Sequence, residues 1–276
     1  MKNPTATGRW LKALRVALAA VVLTCITALL LDTTGLLRHW LGWMPKMQLL
    51  PALLALNVAV VLLVLAATAL AGRLYCSVVC PMGIFQDLFV WARRLIFPKR
   101  HFAWRRPLTA VRYAVLGLFV LLMLLGLGQV AALIAPYSAY ARMVVHLHGS
   151  GVAQAIAIAT LVVIGLSAFL AGRLWCNAVC PVGTLLGIVS RRSLFGIRID
   201  SSRCVGCRQC EHACKAMCIK IGKPDASGAQ SPEVDGSRCV DCFNCLGKCR
   251  FGAIGFGRRR RPQPAGTVDG SRRRFV

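Results

Sequence analysis

The chain has 276 residues, of which 57% are hydrophobic, and a mean hydropathy of +0.63. So apolar a composition excludes an ordinary soluble domain and favours a membrane protein. The net charge of +25, with only nine acidic residues, would suit nucleic acid, but membrane proteins collect Lys and Arg on their cytoplasmic side for topological reasons. We therefore expect membrane lipid as the surroundings and no nucleic-acid partner.

Four segments are apolar enough to cross the ~30 Å hydrocarbon core of a bilayer, which takes ~20 residues. They cover residues 11–31, 49–71, 113–135 and 152–171. A cleavable signal peptide is the alternative for the first, but its apolar run is long and no clear small-x-small site follows. Basic residues are dense before the first segment, between residues 73 and 112 and after residue 173, and sparse elsewhere. This alternation predicts a multi-pass protein of the bacterial inner membrane with both termini in the cytoplasm.

A twelve-residue motif occurs twice, each time directly after a predicted span. GRLYCSVVCPMG (72–83) and GRLWCNAVCPVG (172–183) agree at eight of twelve positions and lie 176 − 76 = 100 residues apart. Two helices per copy, both copies starting on the same side, predict a parallel duplication with its pseudo-twofold axis along the membrane normal. Amphipathic stretches over 84–97 and 184–197 follow the motifs, and we expect them to lie in the membrane interface.

The doubled motif supplies four cysteines at C-x3-C spacing: Cys76, Cys80, Cys176 and Cys180. Residues four apart share a helix face, and a parallel duplication brings the two pairs together near the cytoplasmic surface. They would form an additional four-thiolate metal site or a redox-active dithiol relay; the alternative is that they only pack the repeat interface. Arg73 and Arg173 precede the pairs and could stabilise thiolates, but we prefer to interpret them as cytoplasmic-side anchors.

After residue 197 the composition changes, and a second repeat appears with an offset of 239 − 204 = 35. Residues 199–214 and 234–249 both contain C-x2-C-x2-C-x3-C, the ligand run of two-cluster bacterial ferredoxins, in which the fourth cysteine serves the other cluster. Zinc ribbons also use C-x2-C pairs, but two complete four-cysteine runs in tandem favour two [4Fe–4S] clusters. The first would be held by Cys204, Cys207, Cys210 and Cys249, and the second by Cys239, Cys242, Cys245 and Cys214.

These features predict an α-helical membrane protein with four transmembrane helices as a parallel two-helix duplication, followed by a small α+β domain like a two-cluster bacterial ferredoxin. We assign residues 1–196 to the membrane domain, 197–256 to the ferredoxin-like domain and 257–276 to a basic, disordered tail. Contact with anionic lipid is an alternative role for the tail. Lys215 and Arg250 follow the fourth cysteines, where proline is usual, and place positive charge beside each cluster.

The combination of two C-x3-C-P motifs and two tandem cysteine runs resembles the NapH/MauN family of ferredoxin-type membrane proteins, described as quinol dehydrogenase membrane components. The family is related to the membrane core of the nitrous oxide reductase regulator and to the cytochrome oxidase accessory proteins. The resemblance implies an electron-transfer subunit that passes electrons from membrane quinol toward a respiratory reductase or a partner ferredoxin subunit; the opposite direction of flow stays open. Alternatives are a copper reductase or assembly factor for a metalloenzyme, and a redox sensor.

Polar residues at the outer end of the third predicted span and in the connection to the fourth span form a candidate quinol site. They are Gln129, Arg142, His146 and His148. Quinol oxidation releases protons, and histidine accepts protons near neutral pH. The alternative is an amphipathic interfacial helix anchored by aromatic and histidine side chains.

Overall fold

A computed structural model describes residues 4–99, 101–102, 104–147, 149–222 and 231–259. Within these ranges the chain forms fourteen α-helices and four short β-strands. The helices are α1 (Pro4–Leu31), α2 (Leu36–Leu41), α3 (Trp43–Lys46), α4 (Leu49–Leu54), α5 (Val58–Ala71), α6 (Tyr75–Val78), α7 (Pro81–Ile96), α8 (Thr109–Leu124), α9 (Gly128–Ile134), α10 (Pro136–His146), α11 (Val152–Ala171), α12 (Leu174–Ala178), α13 (Pro181–Ser190) and α14 (Gln209–Ala213). The strands are β1 (Phe195–Ile199), β2 (Ile219–Ile221), β3 (Pro232–Val234) and β4 (Ile254–Arg258).

Two of the helices are long and apolar enough to cross a membrane, over Gly8–Leu31 and Val152–Ala171. They correspond to the first and fourth predicted spans. The second and third predicted spans are each broken into two helices, α4 with α5 and α8 with α9. Asn57 caps α5, its side chain accepting the Val60 N–H, and Gly126 follows α8 with a φ of +73°. A hydropathy window does not detect these helix boundaries, which depend on capping and on a positive φ. The described residues therefore do not form four uninterrupted transmembrane helices.

The start of α4 lies beside the first copy of the doubled motif. Tyr75 Oη donates to Gln48 Oε1 at 2.9 Å and accepts the Leu49 N–H at 3.0 Å. Only four residues lead from the end of α5 to Tyr75, a reach of roughly 14 Å for an extended chain. Residues 49 and 71 therefore cannot stand at opposite faces of a ~30 Å hydrocarbon core, and this segment turns back instead of crossing in one straight helix.

The duplication is visible in how the helices after the two motifs pack. The first of them, α7, packs on α11 of the second repeat, and α13 packs on α5 of the first repeat. Both helices start with proline, which is favoured at the first helical position. The bundle buries one side of α7 and most of α13, and the position of these stretches in the membrane interface stays a prediction. The helix after each motif thus packs against a helix of the other repeat.

Glycines allow the close approach of each motif to its own following helix. A Cβ at Gly83 would clash with the carbonyl oxygen of Cys76, and one at Gly183 with the carbonyl oxygen of Cys176. The short helix that carries the first motif cysteine therefore lies directly against the helix that follows it. The matched pair of contacts explains why the last residue of both motif copies is glycine.

The ferredoxin-like domain contains two antiparallel strand pairs, β1 with β4 and β2 with β3. Ile197, Ile219, Val240 and Ile254 are buried in its core. The last strand ends at Arg258, and the Arg259 N–H donates to the Leu194 carbonyl at 2.7 Å, so this domain continues slightly past the predicted boundary at residue 256. The tail from residue 260 lies outside the described residues.

Candidate iron–sulfur sites and the doubled cysteine motif

The first predicted cysteine set lines a single cavity. Its four members, Cys204, Cys207, Cys210 and Cys249, surround a volume of about 330 Å³ that includes its open mouth. Ile199, Ile221, Phe251 and Ile254 add an apolar wall. The fourth cysteine comes from the second run, which is the crossover that the ferredoxin spacing predicts. Cys207 is exposed at the mouth, so this cavity lies at the surface of the domain.

The second predicted set is more deeply placed. Cys214, Cys239 and Cys245 are buried and Cys242 is half-buried. Burial raises the pKa of Cys245 well above its usual range, and the neighbouring thiols of Cys242, Cys239 and Cys214 raise it further. The four sulfurs therefore lie within electrostatic range of one another, again with the fourth cysteine taken from the other run.

The two runs share the positions at which the backbone adopts a positive φ. Residues with positive φ occur in three pairs separated by 35 positions: Gly206 and Asp241, Arg208 and Phe243, and Met217 and Gly252. Such turns direct successive N–H groups toward one side of the loop, where they stabilise anionic groups. The Ala253 N–H donates to Cys249 Sγ at 3.3 Å, and the Cys218 N–H to Cys214 Sγ at 3.4 Å. Both runs thus have the N–H···S contacts that stabilise thiolate ligands and tune cluster potentials.

The arrangement suits an iron–sulfur cluster better than a zinc ion. Zinc needs its ligands to converge at ~2.0–2.3 Å from one point, and in the described part of the chain no three Cys, His, Asp or Glu side chains converge on a single-ion site. A cubane instead binds each thiolate on a different iron, so its ligands surround a volume. When bound, each cluster would supply a one-electron redox centre.

The doubled motif also brings its four cysteines together. Cys76, Cys80, Cys176 and Cys180 are all buried. Burial raises the pKa of Cys180, and the thiols of Cys176, Cys80 and Cys76 raise it further. Gln86 Nε2 donates to Cys176 Sγ at 3.1 Å and the Gly183 N–H to Cys180 Sγ at 3.3 Å. The convergence of both pairs across the repeat interface is as the duplication predicts.

Arg73 and Arg173 are not cytoplasmic-side anchors, and that expectation is wrong. Both side chains have 0% exposure. Arg73 donates to Asn177 Oδ1 at 2.8 Å and places Nη2 3.8 Å from Cys76 Sγ. Arg173 donates to the carbonyl oxygen of Cys76 at 2.6 Å. Each arginine therefore contacts the motif of the other repeat and places positive charge beside the thiols, which is the role that the sequence analysis had ranked second.

The motifs also hold the residues that flank the second cysteine set. The Arg173 N–H donates to the Lys215 carbonyl at 3.0 Å. The Asp241 carboxylate lies so close to Gly72 of the first motif that a Cβ at Gly72 would clash with it. Asp241 stands between Cys239 and Cys242 in the sequence, and Lys215 follows Cys214. The second set therefore lies over both copies of the doubled motif, whereas the first set faces away from the membrane domain.

One functional residue, Asp87 on α7, was missed in the sequence analysis. Its carboxylate pairs with Arg173 at 2.8 Å, with Lys215 at 2.5 Å and with Arg15. Burial alone would raise the pKa of Asp87, but these cations outweigh burial and hold the pKa well below its usual range. Burial lowers the pKa of Lys215 to about 8, although Asp87 opposes that shift. The sequence held a signal, because Asp87 is the only acidic residue between Asp32 and Asp200.

Comparison with known proteins also indicates iron–sulfur binding. A family model described as a 4Fe-4S binding domain matches the chain twice, over residues 53–102 and 152–199. Each match contains one copy of the doubled motif. The chain is 30% identical over 196 residues to the protein MJ0749 of Methanocaldococcus jannaschii, an alignment that covers 69% of this chain and 70% of that protein.

Two further relatives have descriptive names. The ferredoxin-type protein NapH of Escherichia coli is 35% identical over 171 residues, covering 60% of this chain and 55% of NapH. The methylamine utilization ferredoxin-type protein MauN of Methylobacillus flagellatus is 29% identical over 229 residues, covering 75% of this chain and 76% of MauN. The chain belongs to the NapH/MauN family of ferredoxin-type proteins.

Membership of the NapH/MauN family makes this an iron–sulfur protein of the electron-transport class. The chain spans about half the length of NapH from Escherichia coli, so the activity of that whole protein is not carried over directly. No solved structure matches the chain.

The predicted quinol residues of this NapH/MauN member are only partly gathered. Gln129 and Arg142 line one broad, open groove together with Tyr137. Arg142 Nη2 donates to the Leu133 carbonyl at 2.8 Å, which fixes the guanidinium at the groove wall. His146 is exposed and does not line the groove. His148 lies outside the described residues.

Proposed function

We propose that this protein transfers electrons between membrane quinol and a respiratory redox partner by way of two [4Fe–4S] clusters. Cys204, Cys207, Cys210 and Cys249 would hold one cluster, and Cys239, Cys242, Cys245 and Cys214 the other. The observation that carries the proposal is the cavity lined by four cysteines drawn from both runs. Matched backbone turns and N–H···S contacts in the two runs support it.

The order of the sites supports a relay. The second cysteine set lies over the doubled motif, held there by Arg73, Arg173 and Asp87. The first set lies at the surface, with Cys207 exposed. Residues of the chain thus line a route from the membrane domain, past the four buried motif thiols, to an exposed redox site.

The groove between α9 and α10 is the proposed quinol site. Gln129 and Tyr137 would offer hydrogen bonds to a quinol headgroup, and the Arg142 guanidinium would favour the anion formed when a proton leaves. His146, which is exposed at the end of α10 outside the groove, would accept protons that leave the groove. The groove is broad and open, as a site reached from lipid requires.

Anaerobic isolation of the full chain tests the cluster assignment. We expect about eight iron atoms per chain and two [4Fe–4S] signals by electron paramagnetic resonance after dithionite reduction. Cys207→Ala and Cys245→Ala should each remove one signal and leave the other. Cys218→Ala is the matched control, since Cys218 is buried nearby but is not in either predicted set. Colourless, iron-free wild-type protein would refute the proposal.

Reduction by a quinol analogue tests the quinol step separately. A water-soluble quinol should reduce the wild-type clusters, and an Arg142→Ala/Gln129→Ala variant should slow this step about tenfold or more while dithionite reduction stays unchanged. If the double variant and wild type are reduced by quinol at the same rate, the groove is not the quinol site.

Metal handling is the second candidate function. Four buried thiols converge in the doubled motif, and soft thiolates select Cu(I). Copper bound by the full chain in the stoichiometry of one site, lost in Cys76→Ser/Cys176→Ser, would favour a copper reductase or assembly factor. Full electron transfer in that double variant would exclude a relay role for the motif thiols.

The proposed location is the bacterial inner membrane, with multiple crossings and both termini in the cytoplasm. Two long apolar helices and the alternation of basic residues along the chain support it. Thiol labelling of a single-cysteine reporter at residue 250 in intact cells and in opened cells would test the side. Labelling in intact cells would place the ferredoxin-like domain outside and overturn this orientation.

A further inference from the structure

The two halves of the ferredoxin-like domain are copies with different surroundings. Val240 and Ala216, which flank the second cysteine set, are buried. Their counterparts 35 positions away flank the first set and are more than half exposed, Val205 at 56% and Phe251 at 54%. Since the backbone turns of the two runs match, the difference comes from what covers each half.

The membrane domain covers the second half, and it does so with specific chemistry. Asn177 Nδ2 donates to the Ala216 carbonyl at 3.2 Å. The Lys215 ammonium pairs with the carboxylate of Asp87 at 2.5 Å. The counterpart of Lys215 is Arg250, which is exposed and makes no ion pair within the ranges that the structure describes. The first half therefore carries the same type of surface without a cover from the membrane domain, and its Arg250 lacks the carboxylate that Asp87 offers to Lys215.

We infer that this exposed surface is the docking site for an acidic redox protein. The outer face is defined as Val205, Cys207, Arg208 and Phe251, which line the first cysteine cavity, together with the exposed Arg250 between Cys249 and Phe251 in the sequence. Its partner presents a carboxylate to Arg250 and an apolar patch to Val205 and Phe251, as the membrane domain does for the other half. The inference deepens the proposed function and rests on it.

The charge and apolarity of the outer face agree with that partner. Arg208 lines the cavity mouth and is exposed, as is Arg203 beside it. The carboxylate of Asp200, itself exposed, is 3.8 Å from Arg203 and offsets only that charge. Cationic rims attract acidic partners and speed their association at low salt, while exposed apolar side chains within such a rim are typical of interaction sites. Cys207 at the centre leaves no protein layer between the first site and the partner.

Binding of an acidic plant-type [2Fe–2S] ferredoxin to the full chain in nanodiscs tests the inference. We expect measurable binding that weakens as salt rises from about 50 to about 300 mM, and little binding of basic cytochrome c. Arg250→Glu with Phe251→Ser should weaken ferredoxin binding about tenfold or more, whereas Arg250→Lys should retain it. Arg192→Glu is the matched control, since Arg192 is an exposed arginine outside the outer face.

Equal binding of ferredoxin by the charge-reversed variant and by wild type would overturn the inference, and so would preferred binding of cytochrome c. The inference also fails if the charge-reversed variant keeps ferredoxin binding but loses binding to anionic vesicles or loses self-association, because the outer face would then bind lipid or a second copy of the chain. The dithionite-reduced cluster spectrum of every variant separates this failure from failure of the proposed function. Intact spectra with binding that does not depend on Arg250 would remove the docking site alone. An absent spectrum in wild type would remove the proposed function, whatever the binding shows.

Discussion

The two membrane repeats share a motif but differ at one structurally decisive position. The first repeat has Asp87, and the position 100 residues later is Gly187. The carboxylate of Asp87 draws together Arg15, Arg173 and Lys215, which belong to α1, the second motif and the ferredoxin-like domain. A single anion thus joins three parts of the molecule in the first repeat, where the second has no side chain at all.

The absence of a side chain at Gly187 leaves room for the side chain of Arg112. A Cβ there would clash with the Arg112 guanidinium and approach the Ser237 carbonyl, to which Arg112 Nη2 donates at 3.1 Å. The second repeat therefore holds the ferredoxin-like domain through a close backbone approach and a neutral acceptor. The duplication places two similar helices, α7 and α13, beside the ferredoxin-like domain. Because the two helices contact that domain through different residues, the domain can dock in one orientation.

Of the substitutions that distinguish the two repeats, replacement of Asp87 should reduce the stability of the protein most. Asp87→Asn leaves Arg15, Arg173 and Lys215 buried without their carboxylate, and breaking a buried pair costs about 3–5 kcal/mol. We expect poor yield, and in surviving protein a lower thermal midpoint with increased protease cleavage between the domains. Asp200→Asn is the control, because its exposed pair with Arg203 contributes roughly 0–1 kcal/mol. Equal stability of the two variants would show that Asp87 does not join the domains.

Adding a side chain at Gly187 in the second repeat should reduce stability less than replacing Asp87. Gly187→Ala forces Arg112 away from Ser237, and overpacking of this kind costs about 1–3 kcal/mol. Gly117→Ala is the matched control, since a Cβ at Gly117 on α8 meets nothing within 4 Å and alanine favours a helix by roughly 0.5–1 kcal/mol. Thermal unfolding of both variants checks the pair. A stabilising Gly187→Ala would contradict the close approach.

The parts of the fold that local chemistry dictates were predictable from the sequence. The spacing in each run predicted that Cys249 joins Cys204, Cys207 and Cys210, and the structure gathers those four around one cavity. The family was confirmed because its cysteine pattern is short and specific. The ligand assignment itself stays a prediction until iron is measured.

The parts that depend on distant contacts were not predictable. Hydropathy marked 49–71 as one span, but the Asn57 cap and the contact of Tyr75 with Gln48 turn that segment back. Amphipathicity marked one side of α7 as apolar, but the sequence does not say that α11 of the other repeat packs against this helix. The burial of Arg173 depends on Asp87, whose isolation among acidic residues was visible but was not used.

The smallest expected effect is the change with pH in the stability that Asp87 contributes to the first repeat. Its folded-state pKa lies below that of an unfolded aspartate, ~3.9. A group with a lowered pKa contributes its full stability above the unfolded value and loses it as the pH falls toward the folded value. The stability contributed by Asp87, measured as the difference in thermal midpoint between wild type and Asp87→Asn, should therefore persist down to about pH 5 and narrow only below about pH 4. At the alkaline end it should also decrease as Lys215, whose pKa is about 8, loses its proton.

A difference that disappears between about pH 7 and about pH 5 would mean that the carboxylate titrates near neutrality and is not held by its three cations. Gly187→Ala serves as the comparison, because glycine and alanine carry no titratable group. Its offset from wild type should not change with pH over the same range. Since the two positions are equivalent in the duplication, only the first repeat should show a contribution from this position that is lost in acid, as Asp87 is protonated.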